Sequence, residues 1–403
     1  MATDTKKRPE LLAPAGNYEM LRAAISGGAD AIYFGVKGLN MRAFSKNFTE
    51  DDIKDVVKEC HDNDMKTYLA MNTIIYEDEL EKVRSSLKKA KEAEIDAIIC
   101  WDHSVMSIAK ELGLEIHIST QASISNSMSA KFYKDLGATR CVLAREVTLE
   151  DLKKIKENTD IELEIFIHGA MCVSVSGRCF MSEQLYGKSA NRGECLQPCR
   201  RSYNIKDPET GKEMEMGENY VMSAKDLCTL PFLEKIAPYA ESLKIEGRGK
   251  NPEYVKNVVE AYREALDLIS EDKYDEDEKK RLMEKVGQVY NRGFSSGFYM
   301  GRPIQEFTDS YGSKATRKKE FIGKVENFFK GPSVAEIKLN AGSLEKGDEI
   351  LFIGSSTGVV EKKIDAMRLE DKEVERADKG QNITLKTDEI VRKNDKVYVW
   401  RET

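Results

Sequence analysis

The sequence predicts an α/β fold, a (β/α)8 barrel followed by a small all-β barrel, and three observations carry that prediction. Short apolar runs alternate with amphipathic runs through residues 1–250, the apolar runs number eight, and residues 320–403 change to short alternating strands separated by turn residues. Strand, helix, strand repeated eight times calls for a parallel sheet with helical crossovers, and eight such units close into a barrel of the TIM type. An open, doubly wound sheet is the alternative arrangement of the same units.

Taken in order, the apolar runs are 10–16, 31–35, 66–72, 97–101, 115–121, 140–145, 162–169 and 242–248. Between them lie stretches such as 18–28, 50–63 and 77–93, whose apolar positions recur at helical spacing. The barrel therefore occupies residues 1–250 and carries a cysteine-rich insertion, 170–206, after its seventh strand. Residues 251–312 read as a helical extension packed on the barrel. The tail, 320–403, has turns at Gly331 and Pro332, Gly347 and Asp348, Gly380, and Asn394 and Asp395.

Composition bounds the function. The chain has 403 residues, is 40% apolar and carries a formal charge of -7, so it buries a large core and presents no global positive field. Contact with nucleic acid then requires local basic patches, and two occur, at 192–206 and 314–319. Solvated faces are the plain alternative for both, and the mixed-charge run 271–281 reads as one. No apolar signal segment precedes the charged start at 1–8, and no run of eighteen apolar residues occurs. A cytoplasmic chain with reduced thiols, and no membrane segment, is expected.

Four of the eight cysteines, Cys172, Cys179, Cys195 and Cys199, fall within 28 positions, with six, fifteen and three residues between them. Thiolates are soft ligands, and four complete either a 4Fe-4S cluster or a structural zinc tetrahedron. Structural zinc usually takes two close pairs, and only Cys195 with Cys199 fits, so the wide gaps favour a cluster. Disulfides and four unrelated buried thiols are the rivals. Cys60, Cys100 and Cys141 read as packing residues; Cys228 is a spare thiol able to replace a ligand.

Barrel active sites are built at the C-terminal ends of the strands, and polar residues collect there. They are Asn17, Asn72, Asp102, His103, Ser119, Thr120, Gln121, Arg145, Glu146, His168, Lys244, Glu246 and Arg248. Glu246 and Arg248 alternate with Ile245 and Gly247, so both point into the mouth, where a guanidinium fork recognises an anionic or carbonyl group. An ion pair closing the barrel is the other reading. His168 lies beside the cysteine loop as a general acid/base or a hydrogen-bond partner for a cluster sulfide, with a core histidine as the alternative. His117, mid-strand, is structural, and His61 is solvated.

The segments 10–17 (ELLAPAGN), 28–35 (GADAIYFG), 164–172 (EIFIHGAMC), 177–179 (GRC), 195–200 (CLQPCR) and 244–248 (KIEGR) resemble peptidase family U32, formerly called collagenase-like. The resemblance runs from residue 9 to about 300. It implies oxygen-independent hydroxylation supported by a 4Fe-4S cluster. Within the family the arrangement resembles the branch that hydroxylates carbon five of the tRNA wobble uridine using prephenate, and the tail looks like the second domain of translation GTPases. On this resemblance Cys172, Cys179, Cys195 and Cys199 hold the cluster, and Arg145, Glu246 and Arg248 orient prephenate, a small anionic co-substrate, with His168 among the catalytic residues. Asn72, Gln121 and Lys244 face the substrate; Lys188, Arg192, Arg200 and Arg201 meet phosphates of the tRNA anticodon loop. A peptidase, hydroxylation of another RNA or of a quinone precursor, and a non-catalytic iron-sulfur adaptor are the alternatives. The peptidase reading lacks a His-Glu-x-x-His pattern and uses up its cysteines as ligands.

Overall fold

The structure, a computed structural model, describes residues 8–43, 47–201, 203–215, 222–304, 306–310 and 312–403. Its first part is a closed parallel barrel of β1 (Glu10–Pro14), β2 (Ala31–Phe34), β3 (Lys66–Ala70), β4 (Ala97–Cys100), β5 (Ile116–Ile118), β6 (Arg140–Val142), β7 (Glu162–Ala170) and β8 (Ser242–Ile245). The sheet closes because β8 pairs with both β1 and β7, Lys244 lying opposite Leu12 on one side and Phe166 on the other. Closure excludes the open, doubly wound arrangement.

Six helices, α1 (Tyr18–Ser26), α2 (Ile53–His61), α3 (Leu80–Glu92), α4 (His103–Glu111), α5 (Ser127–Asp135) and α6 (Leu149–Glu157), supply crossovers. Local chemistry starts several of them. Asn17 accepts the Met20 N–H at 3.0 Å, and Asp102 accepts the Ser104 N–H at 2.9 Å, so these strand-end residues are helix caps. Leu, Ile and Val side chains between strands and helices form the main core, each worth roughly 1.5–3 kcal/mol when fully buried.

The barrel interior is unusually charged below its mouth. Arg140 reaches Glu10 at 2.6 Å, Glu162 at 2.8 Å and Glu164 at 3.4 Å, and Lys244 reaches Glu164 at 2.6 Å. Glu164 is fully sealed from solvent. Burial opposes its charge, but Lys244 and Arg140 outweigh it and hold the carboxyl below its ordinary range.

Beyond the barrel, the helix Pro252–Ser270 begins with proline in its first turn and packs on α1. The C-terminal part is an eight-stranded antiparallel sheet with its own core around Ile337, Leu344 and Phe352. It docks on the barrel: Leu351, Ile353 and Val359 merge with the barrel's outer core, and Lys319 pairs with Glu253 at 2.8 Å. Among the described residues no helix is long and apolar enough to cross a membrane.

Candidate functional site

Strands β6 and β8 end sooner than their apolar runs, so Arg145, Glu246 and Arg248 stand in the loops just above the sheet. All three line one small cavity with Tyr33, Asn72, Gln121 and Lys244, about 60 Å³ in volume, room for a single small polar group such as a carboxylate. The Arg145 guanidinium lies 4.0 Å above the Phe166 ring and donates to the Ala170 carbonyl at 3.0 Å, while its Nε is buried without a partner. Arg248 lies over the Tyr33 ring, and its Nη1 is also buried and unpartnered. The backbone makes room for it: a Cβ on Gly35 would sit 2.6 Å from Arg248 Nη1.

Charge balance at this mouth favours an incoming anion. Burial pulls the Arg248 guanidinium down to about 10 and also lowers Arg145. Burial would raise Glu246, but Arg42 and Arg145 more than offset it and keep the carboxylate ionised. Glu246 accepts from Arg42 Nη2 at 3.0 Å. Asn72 Nδ2 donates to Ser119 Oγ at 3.2 Å and to Gln121 Oε1 at 3.4 Å, which fixes the opposite wall.

The cysteine insertion arches over this mouth. Cys172, Cys179, Cys195 and Cys199 line a cavity of about 180 Å³ shared with Arg42, Gln121 and Arg145. Backbone N–H groups of Ser174, Met181 and Gln197 point at the sulfurs of Cys172, Cys179 and Cys195, at 3.4, 3.4 and 3.3 Å. Such donors are a known means of tuning metal–sulfur clusters; burial raises the Cys195 thiol, and the Gln197 N–H offsets it only in part. Among the described residues no group of three or more His, Cys, Asp or Glu side chains is gathered closely enough to hold a metal ion as it stands; the thiols ring the cavity. The loop is locked onto the barrel at Gly193, where a Cβ would lie 2.2 Å from the Asn40 carbonyl oxygen and φ is +79°.

Several residues expected at the site are elsewhere. His168 is displaced by a β-bulge: Lys244 pairs with Phe166 but Ile245 pairs with His168, leaving Ile167 as the extra residue. The bulge turns His168 to the outer face, buried against Tyr254, Tyr262 and Phe294, where burial pulls its imidazole down to about 3. It is a core histidine. Arg192 is held by Glu79 and the Ile74 carbonyl, and Arg200 donates to Ser223 Oγ at 3.1 Å and the Ala224 carbonyl at 2.6 Å, so both brace the cysteine loop from inside instead of facing phosphates. Lys188 and Arg201 are exposed, Arg201 lying over the Tyr186 ring. Lys244 lines the mouth, though Glu164 neutralises it from below. Cys228 is buried beside Met283 and Tyr262 and lines no part of the thiol cavity. Cys60, Cys100 and Cys141 are core residues.

Three further residues shape the site without belonging to any motif. Arg42, in the loop after β2, lines both cavities; Tyr33 forms the cavity floor and donates to the Ile245 carbonyl at 2.9 Å. Lys250 lies 3.4 Å from the centre of the Tyr290 ring. Arg42 and Lys250 have a usable signal in the sequence, since both lie in loops that follow barrel strands and such loops converge on the mouth.

Together these features define a (β/α)8 protein whose arginine-lined mouth is roofed by a four-cysteine loop. The chain belongs to peptidase family U32, whose model matches residues 16–309. It is 42% identical over 402 residues to a protein of Porphyromonas gingivalis named Collagenase, covering 96% of this chain and 97% of that one. It is 34% identical over 356 residues to tRNA hydroxylation protein P1 of Bacillus subtilis, covering 86% and 84%. It is also 38% identical over 274 residues to the 23S rRNA 5-hydroxycytidine C2501 synthase of Escherichia coli, covering 68% of this chain and 41% of that one.

Proposed function

We propose that this chain hydroxylates an RNA nucleobase, and more specifically carbon five of the tRNA wobble uridine, with prephenate as co-substrate and a 4Fe-4S cluster on Cys172, Cys179, Cys195 and Cys199. One observation carries the reading most directly: two buried guanidinium groups, Arg145 and Arg248, each keep an unpartnered nitrogen at a mouth shared with the thiol cavity. The names of the Bacillus and Escherichia relatives supply the RNA substrate class.

The donor set suits a cluster, with four thiols on one cavity and N–H groups aimed at three of them. When bound, the cluster supplies one-electron redox chemistry beside the mouth. The chain's own residues do the rest. Arg145 and Arg248 take one carboxylate of the co-substrate, the group the small cavity has room for, through charge-assisted hydrogen bonds. Replacing hydrogen by a water-derived hydroxyl at carbon five releases two protons and two electrons, so the reaction calls for a two-electron acceptor besides the chain's own residues; Glu246, kept ionised by Arg42 and Arg145, would accept one of the protons. Asn72 and Gln121, bonded to each other and to Ser119, hold the wall opposite the arginines. A loop nucleotide reaches such a site without duplex opening, as anticodon bases do.

A collagenase activity, suggested by the Porphyromonas relative's name, calls for a base beside a nucleophile. His117 and His168 are buried and both drawn below the ordinary imidazole range by desolvation, which disfavours either as that base.

Anaerobic purification with iron and sulfide quantification, on wild type and Cys195→Ala, tests the cage. About four of each per chain, lost in the variant, is the expected result. Nucleoside analysis of tRNA from cells lacking the gene, complemented with wild type or Glu246→Gln, tests the reaction. Zinc in place of iron, or an unchanged nucleoside profile, overturns the reading.

A further inference from the structure

A second, larger cavity opens beside the mouth, between the barrel, the helical extension and the C-terminal sheet. Its volume is about 650 Å³, within the ~300–1,000 Å³ usual for ligand clefts. It meets the catalytic mouth at Arg42 and Glu246, which line both. The cationic side chains on its walls are Arg42, Lys250, Arg292, Arg317, Lys318 and Lys319, against the carboxylates Glu246 and Glu253. Both carboxylates are matched, Glu246 by Arg42 at 3.0 Å and Glu253 by Lys319 at 2.8 Å. Four cations therefore exceed the groove's own anions, in a chain whose formal charge is -7. Two of the four, Arg292 and Arg317, also reach carboxylates behind the wall, Asp226 at 3.4 Å and Glu349 at 2.5 Å, which leaves Lys250 and Lys318 as the cations most available to a ligand.

Those cations alternate with aromatic rings. Lys250 lies over Tyr290, and Arg317 lies 5.1 Å from the centre of the Trp400 ring. Among the described residues no carboxylate is within ion-pairing distance of Lys250, and Lys318 holds only an exposed pair with Glu320. A positive groove with interleaved aromatics is the surface that single-stranded nucleic acid uses, phosphates tracking the cations and bases tolerating any π-face. An acidic peptide needs the charge and has no use for the rings.

We propose that this groove is the track of the RNA strand that presents its target base to the mouth, with the C-terminal sheet as one wall. The proposal rests on the RNA reading above and adds the route. Arg317, Lys318 and Lys319 belong to the basic patch at 314–319, so that patch becomes a strand guide, while the patch at 192–206 braces the cysteine loop through Arg192 and Arg200.

The test is binding of a synthetic anticodon stem-loop RNA to the full-length protein, by fluorescence anisotropy across a salt series. Variants are Lys250→Gln, Lys318→Glu and, outside the groove, Lys88→Glu. Removing one cation that neutralises a single-strand phosphate is expected to weaken binding about fourfold at ~0.15 M salt and to reduce the salt slope by about 0.7. Lys250→Gln should show that change, Lys318→Glu at least as much, and Lys88→Glu none. Lys318 is exposed, so its variant reads binding with the fold intact. Wild-type binding that both groove variants retain, or that Lys88→Glu weakens equally, overturns the groove and leaves the RNA reading standing. Absence of wild-type binding, or competition by poly-glutamate as effective as by RNA, overturns both.

Discussion

Replacing Arg248 by methionine should make the resting protein more stable and, on the proposed function, its binding of prephenate weaker. The guanidinium is buried, its Nη1 has no partner, and burial holds it at about 10, against an ordinary arginine value above ~12. Below both values the group is charged in folded and unfolded chains alike, so the cost of burying it is fully present at neutral pH. Two or more pH units at about 1.4 kcal/mol each give roughly 3 kcal/mol; water in the mouth reduces this to roughly 1–3 kcal/mol. Methionine fills the same space without charge. The variant should melt about 1–4 °C higher than wild type without ligand. On the proposed function, prephenate stabilises wild type more than the variant: loss of charged hydrogen bonds worth roughly 1.5–3 kcal/mol weakens its binding about 10–100-fold. Differential scanning fluorimetry with and without prephenate, backed by calorimetric titration, reads both effects. A variant that melts lower than wild type without ligand, and is stabilised equally by prephenate, refutes the reasoning.

Two further outcomes concern the scaffold. Glu164→Ala strands Lys244 in the barrel interior and removes one of Arg140's partners, so urea unfolding should show a loss of roughly 3–5 kcal/mol; a loss below about 1 kcal/mol would mean water reaches the pair. His168 stays neutral in the folded chain to about pH 3, whereas an unfolded imidazole takes a proton near ~6.5. As pH falls between these values the unfolded state gains the proton alone, and stability present above pH ~6.5 is lost, by up to roughly 5 kcal/mol near pH 3. Denaturation midpoints measured between about pH 7 and pH 4 should therefore fall more steeply for wild type than for His168→Phe, and parallel curves would refute the assignment.

The sequence alone determined a parallel sheet covered by helices and the clustering of the cysteines. Eight apolar runs separated by amphipathic ones call for helices on the faces of a parallel sheet, a constraint that is local and periodic; closure into a barrel instead of an open, doubly wound sheet was decided by β8 pairing with both β1 and β7. The loops that bear Arg145, Glu246 and Arg248 were legible for the same reason, because strand ends define the mouth. Tertiary structure decided which side chains face it. One extra residue, Ile167, turns His168 away from the mouth, and no local pattern marks that bulge. Arg192 and Arg200 look like a phosphate-binding patch in sequence, yet Glu79, which engages Arg192, lies 113 positions away, and Ser223, which engages Arg200, lies 23 away. Arg42 and Lys250 acquire their roles through groups brought in from distant segments, Glu246 in one case and the Tyr290 ring in the other. Burial and pairing are properties of what surrounds a side chain, and in a closed barrel most of those surroundings come from other strands.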